Sequence, residues 1–265
     1  MNKNRIDATV LYNRRTGPDC YRMGIAAGSA YDGALPGQFV MLRLKNPSFP
    51  LLRRPFSIHR RLKDGFELLY KVVGAGTRCL AACREGHPVD VLGPLGRGFP
   101  IDANHACIFM AAGGIGVAPI FFLAQVLQNN AAGAAGRYVF LGARTREGLL
   151  CVDEMRAMGL QVSLSTDDGS AGEKGMVTGA LAAAVKRRRP DVVYACGPKA
   201  MLHQVAETAE RLQLPCWLSV ESVMACGVGA CLGCAVPGRD AAGPYLHVCS
   251  DGPVFDAARL RFNAA

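Results

Sequence analysis

Aromatic residues are scarce in this sequence of 265 residues: they make up 7% of it and do not alternate with the basic runs. The net charge of +9 would otherwise raise the question of nucleic-acid binding. The densest basic run, Lys186–Arg189, is explained by the carboxyl end of a helix, where basic side chains favour the helix dipole. We therefore expect no nucleic-acid partner. The basic residues instead suit phosphate-bearing cofactors or the acidic face of another protein.

Long apolar runs are also missing. No segment approaches the roughly 20 apolar residues that span a membrane, and no apolar core follows the charged start to suggest a secretory signal. With 50% hydrophobic and 19% charged residues, the composition is that of a globular protein, which we expect in the cytoplasm. The five histidines have no ligand spacing, and none is a candidate catalytic base.

Three segments differ in their periodicity, and they predict an α/β plus all-β protein. Residues 1–101 hold short β-rich segments separated by turn pairs, which indicates an antiparallel β-barrel. Residues 102–219 alternate apolar strands with helices, which indicates a doubly wound parallel sheet. Residues 220–265 lose this periodicity and are rich in glycine and cysteine, so we expect a small third domain there.

The third segment contains four of the eleven cysteines: Cys226, Cys231, Cys234 and Cys249. The spacing C-x4-C-x2-C with a distant fourth cysteine is typical of plant-type [2Fe–2S] sites. Small residues between the first three cysteines let the backbone fold around the sulfides and donate N–H bonds to them. Structural zinc is the alternative, but zinc sites favour paired C-x2–4-C hooks. The spacing therefore predicts a [2Fe–2S] cluster.

An Arg-Pro-x-Ser motif, Arg54–Ser57, lies in the barrel segment. An arginine can hold a diphosphate through its planar fork, and a serine hydroxyl can bond a ring nitrogen. On its own the motif also fits an ordinary strand edge with a surface arginine pair. Tyr70–Val72 and Gly76–Thr77 strengthen the first interpretation, because Gly76 and Thr77 open a predicted helix and a helix N-terminus binds phosphate.

A glycine turn, Gly113–Gly116, follows an apolar strand and precedes a helix, as in dinucleotide sites. Pro119 stands where the last glycine of the strict motif would be. Cys196–Pro198 ends another strand and should lie at the same carboxyl edge of the sheet. Cys196 is either a small buried side chain or a contact of the nicotinamide region. Asp167–Ser170 fits an exposed Asx turn better than a nucleotide contact.

The order of these motifs resembles the ferredoxin–NADP reductase superfamily. The segments Glu221–Cys234 and Tyr245–Phe255 resemble the electron-transfer subunits of class 1B dihydroorotate dehydrogenases, and the resemblance covers nearly the whole chain. It implies a subunit with FAD and one [2Fe–2S] cluster, working in pyrimidine biosynthesis. A separate FMN-containing catalytic subunit would oxidise dihydroorotate, and the electrons would cross the cluster to FAD and then reduce NAD+. The implied assembly is a heterotetramer.

The resemblance also implies a role for each motif. The residues implied to bind FAD are Arg54, Pro55, Phe56, Ser57, Tyr70, Lys71, Val72, Gly76 and Thr77. Those implied to bind NAD(H) are Gly113, Gly114, Ile115, Gly116, Cys196, Gly197 and Pro198. The implied cluster ligands are Cys226, Cys231, Cys234 and Cys249. Ser57 would lie near the flavin N5 atom; no residue is assigned with certainty to catalysis, and Ser57 and Cys196 are the nearest candidates.

Two other hypotheses remain open. One is a reductase subunit of a related complex, such as a ferredoxin–NADP transhydrogenase, a sulfide dehydrogenase or a hydrogenase diaphorase. The other is a nucleotide-binding regulator stabilised by zinc. Arg144 and Arg146, after the second strand of the sheet, leave the choice between NAD and NADP open. Leu232–Gly233, between the second and third cysteines, departs from the family and bears on the potential of the cluster.

Overall fold

The structure is a computed structural model that describes residues 5–45, 50–129, 136–239 and 245–262. Its first part is a closed antiparallel barrel in the order β1-β2-β5-β4-β3-β6. The strands are β1 (Arg5–Gly17), β2 (Cys20–Ala26), β3 (Phe39–Leu44), β4 (Arg54–Leu62), β5 (Gly65–Lys71) and β6 (Pro88–Leu95). Successive strand residues face opposite sides, and Met23, Ile25, Leu42 and Phe66 are fully buried in the barrel core. The predicted barrel is confirmed.

A short helix, α1 (Ala75–Ala81), follows β5 at the position where the sequence predicts one. Thr77 organises its start. The Thr77 Oγ1 accepts hydrogen bonds from the backbone N–H groups of Val73 at 2.9 Å and Gly74 at 3.1 Å. These bonds satisfy donors that have no partner within the helix, so Thr77 fixes the backbone that leads from β5 into α1.

The second part is a sheet of parallel strands in the order β10-β9-β8-β7-β11-β12. Its strands are β7 (Ile108–Gly113), β8 (Arg137–Ala143), β9 (Gln161–Thr166), β10 (Glu173–Lys174), β11 (Val192–Cys196) and β12 (Cys216–Ser219). Its helices are α2 (Val117–Asn129), α3 (Val152–Ala157), α4 (Val177–Arg187) and α5 (Lys199–Leu212). Helices α2 and α3 pack on one face, and α4 and α5 on the other. The predicted doubly wound sheet is confirmed, and its strand order reverses between β7 and β11, where ligands of such folds bind.

The third part contains the cysteine loop and two small strands, β13 (Ala235–Pro237) and β14 (Tyr245–His247), which pair with each other. A last strand, β15 (Val254–Asp256), pairs antiparallel with β12 and so joins the large sheet. The C-terminal segment is thereby fastened to the nucleotide sheet, while the boundaries at 101 and 219 stay a prediction. Within the described ranges, no helix has the length and apolar character needed to cross a membrane.

The barrel and the sheet meet at a buried polar junction. Arg22 of β2 pairs with Glu154 of α3, with 2.7 Å between Nη1 and Oε1. Glu67 of β5 accepts from the Nη2 of Arg60 at 3.0 Å. His59 of β4 is 0% exposed, and its Nδ1 lies 3.1 Å from the carbonyl oxygen of Ala118 in α2. Burial lowers the pKa of His59 from 6.5 to about 3, so this side chain is neutral at physiological pH.

This neutral histidine predicts a loss of stability in acid. As the pH drops below 6.5, His59 of the unfolded chain binds a proton, whereas His59 of the folded chain does not until about pH 3. The free energy of unfolding therefore decreases as the pH is lowered between these values. Between pH 7 and pH 5, His59 should cost about 2 kcal/mol, at about 1.4 kcal/mol for each pH unit below 6.5. Urea unfolding at both pH values should show a smaller loss for His59→Phe than for the wild type. Equal losses would mean that folded His59 takes up the proton.

Candidate functional site

A cavity of about 420 Å³ lies where the barrel, the nucleotide sheet and the third part meet. Eight of the nine residues implied to bind FAD line it: Arg54, Pro55, Phe56, Ser57, Tyr70, Lys71, Gly76 and Thr77. The ninth, Val72, is not among the lining residues, and its N–H donates to the carbonyl oxygen of Asp19 at 2.7 Å. The structure thus brings together nearly all of this predicted set.

The walls of this cavity suit a planar ring system with a diphosphate. Phe56 and Tyr70 meet edge to face, with ring centroids 5.8 Å apart, and form an aromatic wall. The Tyr70 hydroxyl is anchored by donating to Asn13 Oδ1 at 3.1 Å. Arg54 is held at the rim because its Nη1 donates to the carbonyl oxygen of Leu52 at 2.9 Å. An arginine fork beside an aromatic slot is the donor set that a dinucleotide with a flat ring requires.

The two predicted nucleotide loops lie side by side at the carboxyl ends of β7 and β11. Cys196 pairs with Ala112 across these strands. A Cβ added to Gly116 would overlap the carbonyl oxygen of Cys196, and one added to Gly113 would lie 2.8 Å from Pro198 Cδ. Both glycines are therefore required by the close approach of the loops. The residues between them leave a backbone surface at the switch point of the sheet, where a pyrophosphate can approach.

Because the two nucleotide loops lie so close together, we expect even the addition of one methyl group to have a large effect. Gly116→Ala should push the two loops apart, lower the free energy of unfolding by about 1–3 kcal/mol and weaken NAD+ binding by about 10-fold. Gly179→Ala in α4 is the matched control, because no atom lies within 4 Å of an added Cβ there. Calorimetric titration with NAD+ and thermal unfolding would measure both effects. An unchanged NAD+ affinity in Gly116→Ala would show that this turn is not part of the nucleotide site.

Cys196 is buried at the end of β11, with 1% of its surface exposed. Burial, followed by the nearby Glu221 carboxylate, raises the pKa of its thiol to about 12. The thiol is therefore protonated at neutral pH, and it supplies neither an anion nor an activated nucleophile. Its neighbours Ser219 and Glu221 line the cavity, so both interpretations from sequence, a buried side chain and a residue at the nicotinamide region, are compatible with its position.

The loop from Asp167 to Ser170 forms the Asx turn that the sequence favours. The Ser170 N–H donates to Asp168 Oδ1 at 2.9 Å, and the Ser170 Oγ donates to the same atom at 2.6 Å. Arg146 is drawn to this turn, because its Nε donates to the Ser170 carbonyl oxygen at 3.2 Å. Arg144 is exposed beside it. The loop alone does not decide between NAD and NADP.

The four cysteines of the third part form two pairs. The Sγ atoms of Cys234 and Cys249 lie 3.3 Å apart, and the Cys231 side chain is hydrogen-bonded to the Cys226 sulfur. All four are free thiols. Two thiolates as close as Cys234 and Cys249 cannot both ionise unless a cation lies near them. Among the residues that the structure describes, no three His, Cys, Asp or Glu side chains converge on a single-ion site.

Backbone donors surround these sulfurs. The N–H groups of Val228 and Cys231 each donate to Cys226 Sγ at 3.4 Å, and the Gly229 N–H donates to Cys249 Sγ at 3.1 Å. Burial alone would raise the pKa of Cys226, but backbone donors led by the Val228 N–H outweigh it and lower this pKa to about 6. Paired thiols inside a shell of N–H donors fit a [2Fe–2S] cluster, whose ligands are thiolates.

The cysteine loop is seated directly on the barrel beside the cavity. Gly227 has a φ of +72°, and an added Cβ would lie 3.0 Å from Met41 Sδ on β3. Phe39, two residues before Met41, lines the cavity, as does Met224, two residues before Cys226. Leu232 has a φ of +59°, a left-handed conformation that is strained for a residue other than glycine. A single short stretch of chain therefore connects the cysteine site with the cavity.

Sequence reasoning missed part of the cavity wall. Ser219, Glu221, Ser222 and Met224 line it, although they come from the far end of the chain. Glu221 faces the cavity, where the surrounding protein removes water and raises the pKa of its carboxyl. The available signal was position: these residues follow the carboxyl end of β12 and directly precede Cys226.

Family models match two parts of the chain. Residues 221–261 match the iron–sulfur cluster binding domain of dihydroorotate dehydrogenase B, and residues 110–207 match the oxidoreductase NAD-binding domain. The chain is 39% identical over 252 residues to the dihydroorotate dehydrogenase B (NAD(+)), electron transfer subunit, of Desulforamulus reducens, covering 94% of this chain and 95% of that relative. It is 40% identical over 258 residues to the protein of the same name from Bacillus caldolyticus, covering 95% and 96%.

Two solved structures share this fold. A structure of the NADH-dependent reduced ferredoxin-NADP oxidoreductase, solved to study flavin-based electron bifurcation, matches with a TM-score of 0.84 and 31% identity, over 96% of this chain and 89% of that one. A ferredoxin NADP+ reductase from Neisseria gonorrhoeae with bound FAD and NADP shares the fold at a TM-score of 0.66 and 15% identity, over 79% and 92%. By its identity to relatives over nearly their whole length, this chain belongs to the family of dihydroorotate dehydrogenase B (NAD(+)) electron transfer subunits.

Proposed function

We propose that this chain is the electron-transfer subunit of a dihydroorotate dehydrogenase that reduces NAD+ in de novo pyrimidine biosynthesis. The observation that carries the proposal is the continuity of three sites. The cysteine loop adjoins the cavity through Met224, and the nucleotide turn adjoins it from the other side through Ile115. Such an arrangement suits a one-electron carrier, a flavin and a nicotinamide in sequence.

Each group of residues has a defined task in this proposal. Arg54 and the start of α1 hold the diphosphate of FAD, and Ser57 orients its ring. The loops Gly113–Gly116 and Cys196–Pro198 receive NAD+, and the four paired cysteines hold the [2Fe–2S] cluster. When bound, the cluster carries single electrons, FAD accepts one or two, and NAD+ takes up a hydride. The protonated Cys196 thiol adds no negative charge to the nicotinamide region.

A separate catalytic subunit completes the enzyme in our proposal. The relatives are named as electron transfer subunits, which supports a division of labour between chains. We propose that the partner contains FMN, oxidises dihydroorotate and forms a heterotetramer with this chain in the cytoplasm. The loop between Cys226 and Cys234 would face that partner, since Val223, Val228 and Leu232 are exposed around it at 86%, 42% and 59%. Exposed apolar side chains of this kind commonly mark protein interfaces.

A second candidate function rests on the structural match with a TM-score of 0.84. That match favours a subunit that exchanges electrons between NAD(H) and another redox partner, such as ferredoxin. The identity of 39% to an electron transfer subunit of dihydroorotate dehydrogenase B exceeds the identity of 31% to that structure, so we prefer the first function.

The test uses the complex of this chain with an FMN-containing dihydroorotate dehydrogenase subunit. We expect the complex to reduce NAD+ with dihydroorotate, and the chain alone to oxidise NADH with ferricyanide but not to use dihydroorotate. Activity of the chain alone on dihydroorotate would contradict the division of labour. Failure of the complex, together with reduction of ferredoxin by NADH, would favour the second candidate. A colourless protein with bound zinc, after anaerobic purification, would contradict both.

A further inference from the structure

A β-bulge interrupts the strand that carries the Arg-Pro-x-Ser motif. Ile58 of β4 lies opposite Leu68 of β5, and Arg60 lies opposite the next residue, Glu67, so that His59 is the extra residue. Bulges of this kind redirect a side chain and occur next to functional sites. Here the bulge lets both His59 and Arg60 reach Glu67, with 3.6 Å from His59 Nε2 and 2.9 Å from Arg60 Nε to Glu67 Oε1.

The redirected histidine makes two contacts with helix α2. Its Nδ1 lies 3.1 Å from the carbonyl oxygen of Ala118, and its ring stacks on Phe121 with centroids 4.5 Å apart and planes inclined by 27°. Ala118 and Phe121 are three residues apart and share one face of the helix. Because a carbonyl can only accept, Nδ1 carries the proton in this contact. His59 therefore fixes both the position and the rotation of the first turns of α2.

Both ends of this contact border the cavity. Ser57, two residues before His59, lines it from the barrel side. Ile115 and Ala118 line it from the nucleotide side. His59, which is 0% exposed, therefore lies between the Arg-Pro-x-Ser motif and the nucleotide turn.

Packing alone does not explain why the side chain between β4 and α2 is a polar histidine. Among the described residues, His59 Nε2 has no hydrogen-bond partner, and leaving a buried polar atom unpaired costs stability. A phenylalanine would stack on Phe121 without that cost. Only a donor at the Nδ1 position can make the directional bond to the Ala118 carbonyl. A purely apolar contact would leave α2 free to slide along β4.

We propose that His59 is a positioning residue that sets the nucleotide turn at the start of α2 against the flavin site of β4 during hydride transfer. The inference rests on the proposed function and adds a residue that no motif of the sequence singles out. The positioning role requires the hydrogen bond from His59 to Ala118, and stacking on Phe121 alone does not suffice.

The test compares three variants of the FAD-loaded chain. His59→Phe keeps the ring and removes the donor. His59→Asn keeps a donor near the Nδ1 position and removes the ring. His59→Gln moves the amide one atom further along the side chain, away from the Ala118 carbonyl, and serves as a second donor-loss variant if His59→Phe does not fold. The assay is NADH oxidation by ferricyanide, in which each NADH gives two electrons to two ferricyanide ions and leaves NAD+ and a proton. Binding of NAD+ and of ADP-ribose, which lacks the nicotinamide, is measured by calorimetry.

We expect kcat to fall about 10- to 100-fold in His59→Phe and His59→Gln, because small misplacements of reacting groups have effects of this size. ADP-ribose and NAD+ contain the same diphosphate, so both affinities should stay within about threefold of the wild type, and His59→Asn should recover most of kcat. Unchanged kcat in a folded donor-loss variant, or a loss of ADP-ribose and NAD+ affinity as large as the loss of kcat, would overturn the inference. A wild-type chain that binds FAD but does not oxidise NADH would contradict the proposed function, and the inference with it.

Discussion

Replacing Cys234 with serine should abolish electron transfer from the catalytic partner to NAD+ and leave NADH oxidation by ferricyanide nearly unchanged. Cys234 is 2% exposed, and its sulfur lies 3.3 Å from that of Cys249, inside the loop that fits the cluster. A serine hydroxyl ionises far less readily than a thiol and is a poor iron ligand. We expect the dihydroorotate-dependent rate to fall by about 100-fold or more, beyond the 10- to 100-fold typical of residues that only support a metal ligand.

The measurement pairs two assays on the same preparation with iron and sulfide analysis. The ferricyanide assay should be retained because the nucleotide turn and the flavin cavity are built from other residues. Cys107→Ser is the matched control: Cys107 is a partly buried cysteine that precedes β7 at the amino edge of the sheet, away from the nucleotide loops. A Cys234→Ser complex that keeps both its iron and its dihydroorotate-dependent rate would remove Cys234 from the ligand set.

Local patterns allowed much of this fold to be predicted. The apolar run before Gly113 is a strand buried along its whole length, and residues 102–219 alternate strands with helices as the sequence predicts. Both are signals that a few neighbouring residues carry, because burial on both faces selects apolar side chains and an amphipathic helix repeats every 3.6 residues. The spacing of the four cysteines is equally local, and the structure arranges them as two pairs within one loop region.

Features that depend on distant contacts escaped prediction. Strand β1 runs from Arg5 to Gly17, well beyond the short β-rich segments predicted for residues 1–101, because its polar residues face solvent while pairing with β2 and β6 extends the strand. Glu221 and Met224 line the cavity together with Pro253, which directly precedes β15, the strand that pairs with β12. The bulge at His59 depends on pairing with β5, and no pattern within β4 reveals it. Each of these features is created by residues that are far apart in sequence.

The sequence alone could not assign different roles to the two adjacent arginines of the flavin motif, Arg53 and Arg54. Arg54 lines the cavity, and Arg53 does not. Arg53 turns instead toward the buried Asp90, with 2.6 Å between its Nη2 and Asp90 Oδ1. Arg5 also pairs with Asp90, at 2.8 Å. Successive residues of a strand edge point to opposite sides, so one arginine serves the cavity and the other closes the barrel.

Arg54→Ala should therefore weaken FAD binding, and Arg53→Ala should weaken the fold. Truncating one partner of a charge-assisted hydrogen bond costs about 2–5 kcal/mol when the other charge is left unpaired, so we expect the FAD dissociation constant of Arg54→Ala to rise about 30- to 5000-fold. Thermal stability of the FAD-free chain should barely change, because Arg54 bonds only to carbonyl oxygens of its own loop among the bonds that the structure describes.

Arg53→Ala should behave in the opposite way. Arginine partners lower the pKa of Asp90 against the effect of burial, and losing one of them should destabilise the FAD-free chain while FAD affinity stays within about threefold. Because Arg5 still pairs with Asp90, we expect this loss to be about 1 kcal/mol, below that for an uncompensated buried charge. Flavin fluorescence titration measures the FAD affinity of both variants, and urea unfolding measures their stability without FAD. Equal losses of FAD affinity in both would mean that the diphosphate is held by the pair, and the separation of roles across the strand would be wrong.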